Sequence, residues 1–399
     1  MTPPVTVIGR DGSPLGPAAA AVIAAASLVA GARRQLAAVS MPASARQVEI
    51  TRLDDALDEI CQAPGPAAVL ASGDPGFFGI VRSLRARGIT PRVIPAVSSV
   101  ALAFARLGLD WDDALVLSAH GRAPRPVAAA ALAHPKVAIL TAPGEAAAEL
   151  ASTLLAAGRR VYAAERLGEP AERVAELTAG AVSGLADPNV LVAVDPAASP
   201  AERPGWVAGH RGAPAGWALP EEAFAHRDSM ITKAEVRAVV LARLGPGLGR
   251  MVWDLGSGSG SVAVECARFG ASVIAIEDDP GQCSRIGQNA AAHGVAVRIV
   301  QGRAPGMLAG LPAPDALFAG GGDDTVLDAA VSLGQPERAV VTLASVDRVR
   351  TVSELLTGHG YQASGVQLQA SRLAALPGGS LRLAAVNPVF VISGERDAR

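Results

Sequence analysis

Val252-Trp253-Asp254-Leu255-Gly256-Ser257-Gly258-Ser259-Gly260 is the stretch on which the fold of this chain turns. An apolar strand ends in an acid, and three glycines follow at alternate positions. Ser261-Val262-Ala263-Val264-Glu265-Cys266-Ala267-Arg268 then starts an amphipathic helix. Glycine serves where a backbone turns sharply, often at positive φ, and lies against a ligand with no Cβ between. The helix N-terminus behind it offers free N–H groups to that ligand. A second strand, Val273-Ile274-Ala275-Ile276, ends in Glu277, seventeen positions after Gly260. In a doubly wound sheet that carboxylate stands across the crevice, where it can accept both hydroxyls of a ribose.

A dinucleotide fingerprint spaces its glycines G-x-G-x-x-G, so that the backbone approaches a pyrophosphate. Here the order is D-x-G-x-G-x-G. Asp254 directly before the loop would repel a pyrophosphate but suits the ammonium and sulfonium of S-adenosylmethionine. The expected cofactor is therefore the methyl donor, not NAD. Asp254, Gly256, Ser257, Gly258, Ser259 and Gly260 should wrap its amino-acid end, with Glu277 on the ribose and Thr232 and Ala304 close by. A ligand-free strand–helix turn is the plain alternative, and the second acid at Glu277 argues against it.

Working outward, 399 residues hold two or three domains. Half the residues are apolar and only 3% are aromatic, so the core must be built from Ala, Val and Leu. The formal net charge of −2 carries no electrostatic footprint for nucleic acid or an anionic membrane. Cys61, Cys266 and Cys283 show no close pairing and read as small core residues of a reducing compartment. No Cys/His cluster has metal-ligand spacing, so no metal is expected. The Ala-rich run 17–32 follows a strand-like Val5-Thr6-Val7-Ile8 and is too short and too weakly apolar for a span. It reads as a buried helix, and the protein as cytoplasmic and free of membrane.

Residues 5–194 alternate strands and helices. Strands are expected at 5–8, 67–71, 92–94, 114–118, 136–141, 160–164 and 190–194, with helices near 17–30, 53–62, 77–87, 98–107, 126–133 and 144–157. Four prolines and four glycines between 196 and 218 have a linker's composition. This predicts domains at 1–195 and 219–399. The second series has a helix at 233–244 and strands at 251–255, 272–277, 296–300, 314–319 and 337–343. Helices fill the gaps near 260–269, 280–292, 324–332 and 346–358. Two strand-like runs, 361–370 and 384–393, are joined through Pro377-Gly378-Gly379-Ser380 with no helix between. An antiparallel pair closing an otherwise parallel seven-stranded sheet fits.

The C-terminal part, about 219–393, resembles the cobalamin-pathway methyltransferases that act on precorrin-6Y. The resemblance rests on Leu219-Pro220-Glu221-Glu222-Ala223-Phe224, on Met230-Ile231-Thr232-Lys233-Ala234-Glu235-Val236-Arg237, on the glycine loop and on Gly320-Gly321-Gly322. The N-terminal part resembles the tetrapyrrole methylases, a two-subdomain fold. It does so through Ala71-Ser72-Gly73-Asp74-Pro75-Gly76-Phe77-Phe78-Gly79, Pro95-Ala96-Val97-Ser98-Ser99-Val100, Ser118-Ala119-His120-Gly121-Arg122 and Ala164-Glu165-Arg166-Leu167-Gly168. Together the two imply methylation of precorrin-6Y at C-5 and C-15 with loss of carbon dioxide, giving precorrin-8X. They also imply a second donor site at Gly73, Asp74, Pro75, Ser98 and Ser99, with Ala142-Pro143 and Pro188-Asn189-Val190 as further strand-end loops. A homo-oligomer is the expected assembly. Two departures stand out. Gly9-Arg10-Asp11-Gly12-Ser13-Pro14 replaces the usual glycine-proline-glycine turn, and Gly302-Arg303-Ala304 replaces a Gly-Asp near the adenine.

A reduced tetrapyrrole carries its own nucleophilic carbons, so alignment matters more than a strong base. It also carries many carboxylates, which ask for Arg or Lys. Arg122, Arg227, Lys233 and Arg237 are candidates. Lys233 is one of only two lysines beside 33 arginines, which suggests a point charge where a planar fork would not serve. Lys233, Arg237 and His120, at a strand's carboxyl edge, are the candidate catalytic residues. Two alternatives stay open here: a methyltransferase of the same fold for another substrate, and an N-terminal domain that is only a scaffold.

Overall fold

A computed structural model describes residues 3–120, 122–141, 146–187, 189–197, 214, 216–227 and 231–396. Gly121, Ala142-Pro143, Pro188, Met230 and most of the Pro/Gly-rich stretch lie outside the described residues. The chain divides into two compact units, one of residues 1–122 and 136–196, the other of 123–135 and 197–399.

The first unit begins with β1 (Val5–Arg10), α1 (Pro17–Ala24), β2 (Leu28–Gly31), α2 (Arg33–Ala37), β3 (Arg46–Glu49), α3 (Leu53–Cys61), β4 (Ala67–Ser72), α4 (Ile80–Ala86) and β5 (Arg92–Ile94). Its five strands are all parallel, in the order β3-β2-β4-β1-β5. Ala, Val, Leu and Ile fill both faces of the sheet. Next come α5 (Ser99–Leu107), β6 (Leu115–Ser118), α6 (Pro124–Leu132), β7 (Lys136–Leu140), α7 (Ala146–Ala156), β8 (Arg160–Glu165), β9 (Arg173–Glu176) and β10 (Asn189–Val194). These strands make a second sheet, β6-β7-β10-β8-β9, in which β6 pairs parallel with β7 and the other three pairings are antiparallel. Two sheets match the two subdomains expected. Residues 123–135, with α6, group with the second unit.

Sequence reading errs at β2. The alanine-rich run predicts one helix through Leu28-Val29-Ala30-Gly31, yet α1 stops at Ala24 and these four residues are a strand with every member buried. A strand buried on both faces has no alternation to betray it, and no Gly or Pro marks the break. β3, α2 and β9 were also overlooked, each only four or five residues long.

The second unit contains a 3₁₀ turn at Glu221–Ala223, then α8 (Ala234–Leu244), β11 (Met251–Leu255), α9 (Ser261–Arg268), β12 (Ser272–Glu277), α10 (Pro280–Ala292), β13 (Arg298–Gln301), β14 (Ala316–Ala319), α11 (Asp324–Gly334), β15 (Arg338–Leu343) and α12 (Asp347–Gly358). Four strands end the chain: β16 (Gln362–Leu368), β17 (Ser371–Ala375), β18 (Leu381–Ala385) and β19 (Val389–Glu395). The seven-stranded order is β13-β12-β11-β14-β15-β19-β16, parallel except for β19, which pairs antiparallel with β15 and β16. The antiparallel closure is as expected, but its connection is not. Pro377–Ser380 turns an extra hairpin, β17–β18, inserted between the two long strands. Apolar layers cover both faces of the sheet, and Trp253 is buried in one of them with its indole N–H on the Pro312 carbonyl at 3.1 Å.

Candidate active site

β11 runs into the glycine loop at the carboxyl edge of the seven-stranded sheet. Gly256, Gly258 and Gly260 have φ of 61°, 57° and 74°, the left-handed region that glycine enters without a Cβ penalty. Beside Gly256 and Gly258 an added Cβ would meet nothing within 4 Å, whereas at Gly260 it would strike Ile286 of α10 at 2.9 Å. The first two glycines therefore face open space, and the third lets α10 pack close. Gly256 N and Ser257 N both donate to the Ile276 carbonyl, at 2.9 and 3.3 Å, which ties the loop to β12.

Glu277 closes the loop from the next strand. One carboxylate oxygen accepts the Gly258 N–H at 2.7 Å and the other accepts the Asp279 N–H at 3.0 Å. The residue is buried, but a carboxylate has about four acceptor positions, so acceptor capacity is left over. Asp254 is 1% exposed. Its Oδ2 accepts the Ala263 N–H at 3.1 Å, in the first turn of α9. Burial pushes its carboxyl up to about 6, with the Glu277 charge adding to the rise and the Ser257 and Ala263 groups opposing it. Asp254 Oδ1 and Ser257 Oγ are buried without a well-formed hydrogen bond among the described residues. Ala304 lies just past β13, half-buried against the apolar layer, where the Gly302 N–H bonds the Glu277 carbonyl at 2.8 Å.

The segment before α8 is stitched across α9 and α10. Leu219 N donates to Glu265 at 2.7 Å, and the His293 ring nitrogen bonds the Ala223 carbonyl at 2.9 Å. Asn289 of α10 is 2% exposed and makes three bonds at once. Its amide N–H groups reach the Ala225 carbonyl at 2.9 Å and the Ser259 carbonyl at 2.7 Å, and its oxygen accepts the Ala225 N–H at 2.7 Å. Arg227 pairs with Asp279 at 3.3 Å. Lys233 is the half-exposed N-cap residue of α8, and its carbonyl accepts the Arg237 N–H at 2.8 Å.

Arg237 needs correction as a substrate-facing residue. Its side chain is fully buried. It donates to the Thr232 carbonyl at 2.5 Å and to the Leu219 carbonyl, stands 3.5 Å from Glu265 and covers the Phe224 ring at 4.8 Å. Burial lowers its affinity for the proton, opposed by Glu265. Glu265, also fully buried, takes Arg268 at 2.8 Å as well. This charge network builds the frame of the unit and offers nothing to a substrate.

In the first unit the strand-end loops of the parallel sheet converge. Gly73 N donates to the Arg10 carbonyl at 2.7 Å, and a Cβ on Gly73 would sit 3.0 Å from Ser99 N. Asp74 accepts the Gly76 N–H at 2.8 Å and so shapes its own turn before the buried Pro75. Ser98 caps α5 through the Ala101 N–H at 3.1 Å. The structure thus brings Gly73, Asp74, Pro75, Ser98 and Ser99 together. The divergent first loop is tied by its own acid: Asp11 accepts from Ser13 and from the Val97 N–H at 3.2 Å, and the Ser13 bonds lower its carboxyl. His120 is exposed after β6, and its N–H lies 3.4 Å from the Ser118 hydroxyl. Arg122 reaches the Ser118 carbonyl at 3.4 Å.

Sequence reading missed Asn289, Glu265, Asp279 and Glu221. Asp279, directly before Pro280, carried the clearest sign: an N-cap acid ahead of a first-turn proline.

A parallel sheet closed by an antiparallel pair, with a left-handed glycine loop and an acid on the adjoining strand, defines a Rossmann-like methyltransferase. The family model of the precorrin methyltransferase domain matches residues 222–392, and that of the tetrapyrrole (corrin/porphyrin) methylases matches residues 11–183. The precorrin-6Y C(5,15)-methyltransferase (decarboxylating) of Sinorhizobium sp is 38% identical over 366 residues, covering 87% of this chain and 86% of its own length. Shorter relatives match one half each. A probable cobalt-precorrin-6B C(15)-methyltransferase (decarboxylating) of Pyrobaculum calidifontis is 33% identical, over 44% of this chain and 94% of its own. A cobalt-precorrin-7 C(5)-methyltransferase of Salmonella typhimurium is 38% identical, over 32% of this chain and 65% of its own. The chain belongs to the precorrin-6Y C5,15-methyltransferase (decarboxylating) family.

Proposed function

We propose that this chain methylates precorrin-6Y at C-5 and at C-15 and removes carbon dioxide from an acetate arm, giving precorrin-8X, with S-adenosylmethionine as donor in both units. Residues 219–399 carry out the C-15 methylation and decarboxylation, and residues 1–195 the C-5 methylation. The observation that carries the reading is the left-handed loop at Gly256–Gly260, open beside Gly256 and Gly258 and held by Glu277.

The residues fit such a donor. The buried negative charge of Asp254 beneath the loop, with the Ser257 hydroxyl beside it, favours its ammonium group, and the spare acceptor positions of Glu277 suit a ribose. Thr232, Lys233 and Ala304 flank the same edge in this reading. When bound, the donor supplies an electrophilic methyl group on a sulfonium. The protein's part is to fix that group in line with a nucleophilic ring carbon, and positioning of this kind is worth about 7–11 kcal/mol. In decarboxylation the macrocycle takes up the electron pair released with carbon dioxide, and a proton then neutralises it. Lys233 and His120 are the exposed or half-exposed groups proposed to meet the substrate. Among the described residues no helix is long and apolar enough to cross a membrane. A cytoplasmic homo-oligomer completes the proposal.

The test is mass spectrometry of the reaction with precorrin-6Y and donor. Gain of two methyl groups with loss of one carbon dioxide is expected. Gain of one methyl group, or retention of the carboxylate, would refute the full assignment.

A further inference from the structure

The first unit contains a cavity of about 490 Å³ beside β8 and β9, lined by Arg166, Arg173, Ser183, Gly180 and Gly184 with Glu165 at its wall. None of the donor-site residues above belongs to it. Glu165 is buried and committed: one oxygen takes Arg173 and the other takes the Ala186 N–H. Arg173 is thus half of an ion pair. Arg166 is exposed and makes no ion pair or side-chain hydrogen bond among the described residues. Two guanidiniums against one carboxylate leave the cavity with one positive charge in excess.

The backbone under Arg166 is unusual. Its φ is +50°, a left-handed conformation that costs a non-glycine residue free energy and collects at functional sites. The following turn is held from outside. A Cβ on Gly168 would lie 1.9 Å from the Asp11 carbonyl oxygen, and one on Gly12 would lie 1.7 Å from that of Gly168. Two glycines, both at positive φ, let these backbones touch. Gly168 N is also bound by Glu172 at 2.7 Å. The divergent loop at residues 9–14 therefore clamps the turn that sets Arg166 on the cavity wall. On the other wall, Cβ atoms at Gly180 and Gly184 would meet nothing within 4 Å, so room remains for a ligand.

We infer that this cavity is a carboxylate-binding site that holds an acetate or propionate arm of the tetrapyrrole, with Arg166 gripping the carboxylate. A planar guanidinium offers a carboxylate two parallel N–H donors, and the volume suits an arm with part of a ring, not a whole macrocycle. The inference rests on the reading that the N-terminal unit methylates such a ring.

The test uses the full chain, in which C-15 methylation serves as an internal control. Arg166→Gln should raise the tetrapyrrole KM of the C-5 step about tenfold and change its kcat less than threefold, with the C-15 constants unmoved. Arg166→Lys should recover part of the loss. Gly180→Val fills the cavity from an unstrained wall without touching a charge, and should raise the same KM. An unchanged C-5 KM in both Arg166→Gln and Gly180→Val would overturn the inference, as would equal losses at C-5 and C-15. Titration of fluorescent uroporphyrin, an octacarboxylate, separates this from the parent reading because it needs no turnover. Arg166→Gln should weaken one class of uroporphyrin sites at least fivefold, and an unchanged isotherm would refute the site. A wild-type chain that lacks C-5 methylation refutes the parent reading instead.

Discussion

The amide of Gly258 donates a 2.7 Å hydrogen bond to the Glu277 carboxylate, so the glycine loop and the acid of the adjoining strand form one unit. Because the other Glu277 oxygen holds Asp279 N, Glu277→Gln must turn an N–H₂ toward one of two backbone donors. The expected result is a 10–100-fold weaker donor affinity at the C-terminal site, read by calorimetry on the full chain. Circular dichroism should be unchanged. Undiminished affinity would detach Glu277 from the donor.

Asn289 links the Ser259 carbonyl of that loop to both polar groups of Ala225. Asn289→Leu leaves those buried groups unpaired, at about 1–3 kcal/mol per group in loss of order or stability. Donor KM for C-15 methylation should rise more than tenfold while C-5 methylation holds. Asn289→Asp retains the acceptor to Ala225 N but faces two carbonyls with an oxygen, so it should be as harmful as Leu.

Asp254 titrates near 6 in the folded chain against the ordinary 3.8. The folded state then binds the proton more tightly than the unfolded one. Stability without donor should therefore fall as pH rises from about 4 through 6 and level off above, by at most ~3 kcal/mol at 1.36 kcal/mol per unit. An ammonium beside the carboxylate favours the ionised form, so donor affinity should rise across the same window. Asp254→Asn should flatten both profiles, raise the melting temperature of the free protein at pH 7 and weaken donor binding. A wild-type donor affinity that is level from pH 5 to 7 would contradict this.

Arg372 of β17 clamps the inserted hairpin to the start of α8, with Glu221 at 2.9 Å and Glu235 at 2.7 Å. The Arg372 bonds hold the Glu221 carboxyl down at about 2. A depressed carboxyl contributes stability above its unfolded pKa of about 4.5 and loses it as pH falls toward 2. Arg372→Met should cost roughly 1–2 kcal/mol at pH 7, since the guanidinium is partly solvated. The difference from wild type should close near pH 2 in thermal melts.

How much of this was legible differs from residue to residue. The loop and Glu277 were plain because apolar strand, alternate glycines and terminal acid all follow from one local geometry. Arg237 was misassigned although spacing held the answer. Arg237, Val240, Leu241 and Leu244 fall at i, i+3, i+4 and i+7, the buried stripe of α8. A positive charge on an apolar stripe points to a buried partner, here Glu265, itself three positions before Arg268. Asn289 gave no such sign, since its partners are carbonyls brought near only by the fold. The β17–β18 hairpin hid for another reason. Pairing of β16 with β19 is non-local, and the intervening residues alternate like the strands they interrupt.

The network around Arg237 predicts a stability effect, not a binding one. Arg237→Met leaves Glu265 buried with one partner fewer, a loss of about 3–5 kcal/mol. The unfolding transition of the C-terminal unit should move to lower temperature, with tetrapyrrole KM unchanged in the folded fraction. Arg237→Met with Glu265→Leu should recover part of the stability. A normal melt with a raised KM would return Arg237 to the substrate.

Counting donor equivalents per chain decides whether both units bind one. Gly258 has a φ of 57° and open space beside it, so Gly258→Val adds a strained, branched side chain inside the C-terminal site. Gly73 has a φ of 60°, and its added Cβ would press on Ser99 N at 3.0 Å, so Gly73→Val should disturb the N-terminal loops alone. The changed first loop forfeits a few contacts at about 0.5–1.5 kcal/mol each, too little to abolish a site spread over several strand ends. Calorimetric saturation should reach two equivalents in the wild type and one in each variant. C-15 methylation should vanish only in Gly258→Val, and C-5 methylation only in Gly73→Val. One equivalent in the wild type, abolished by Gly258→Val, would make the first unit a scaffold and withdraw C-5 methylation.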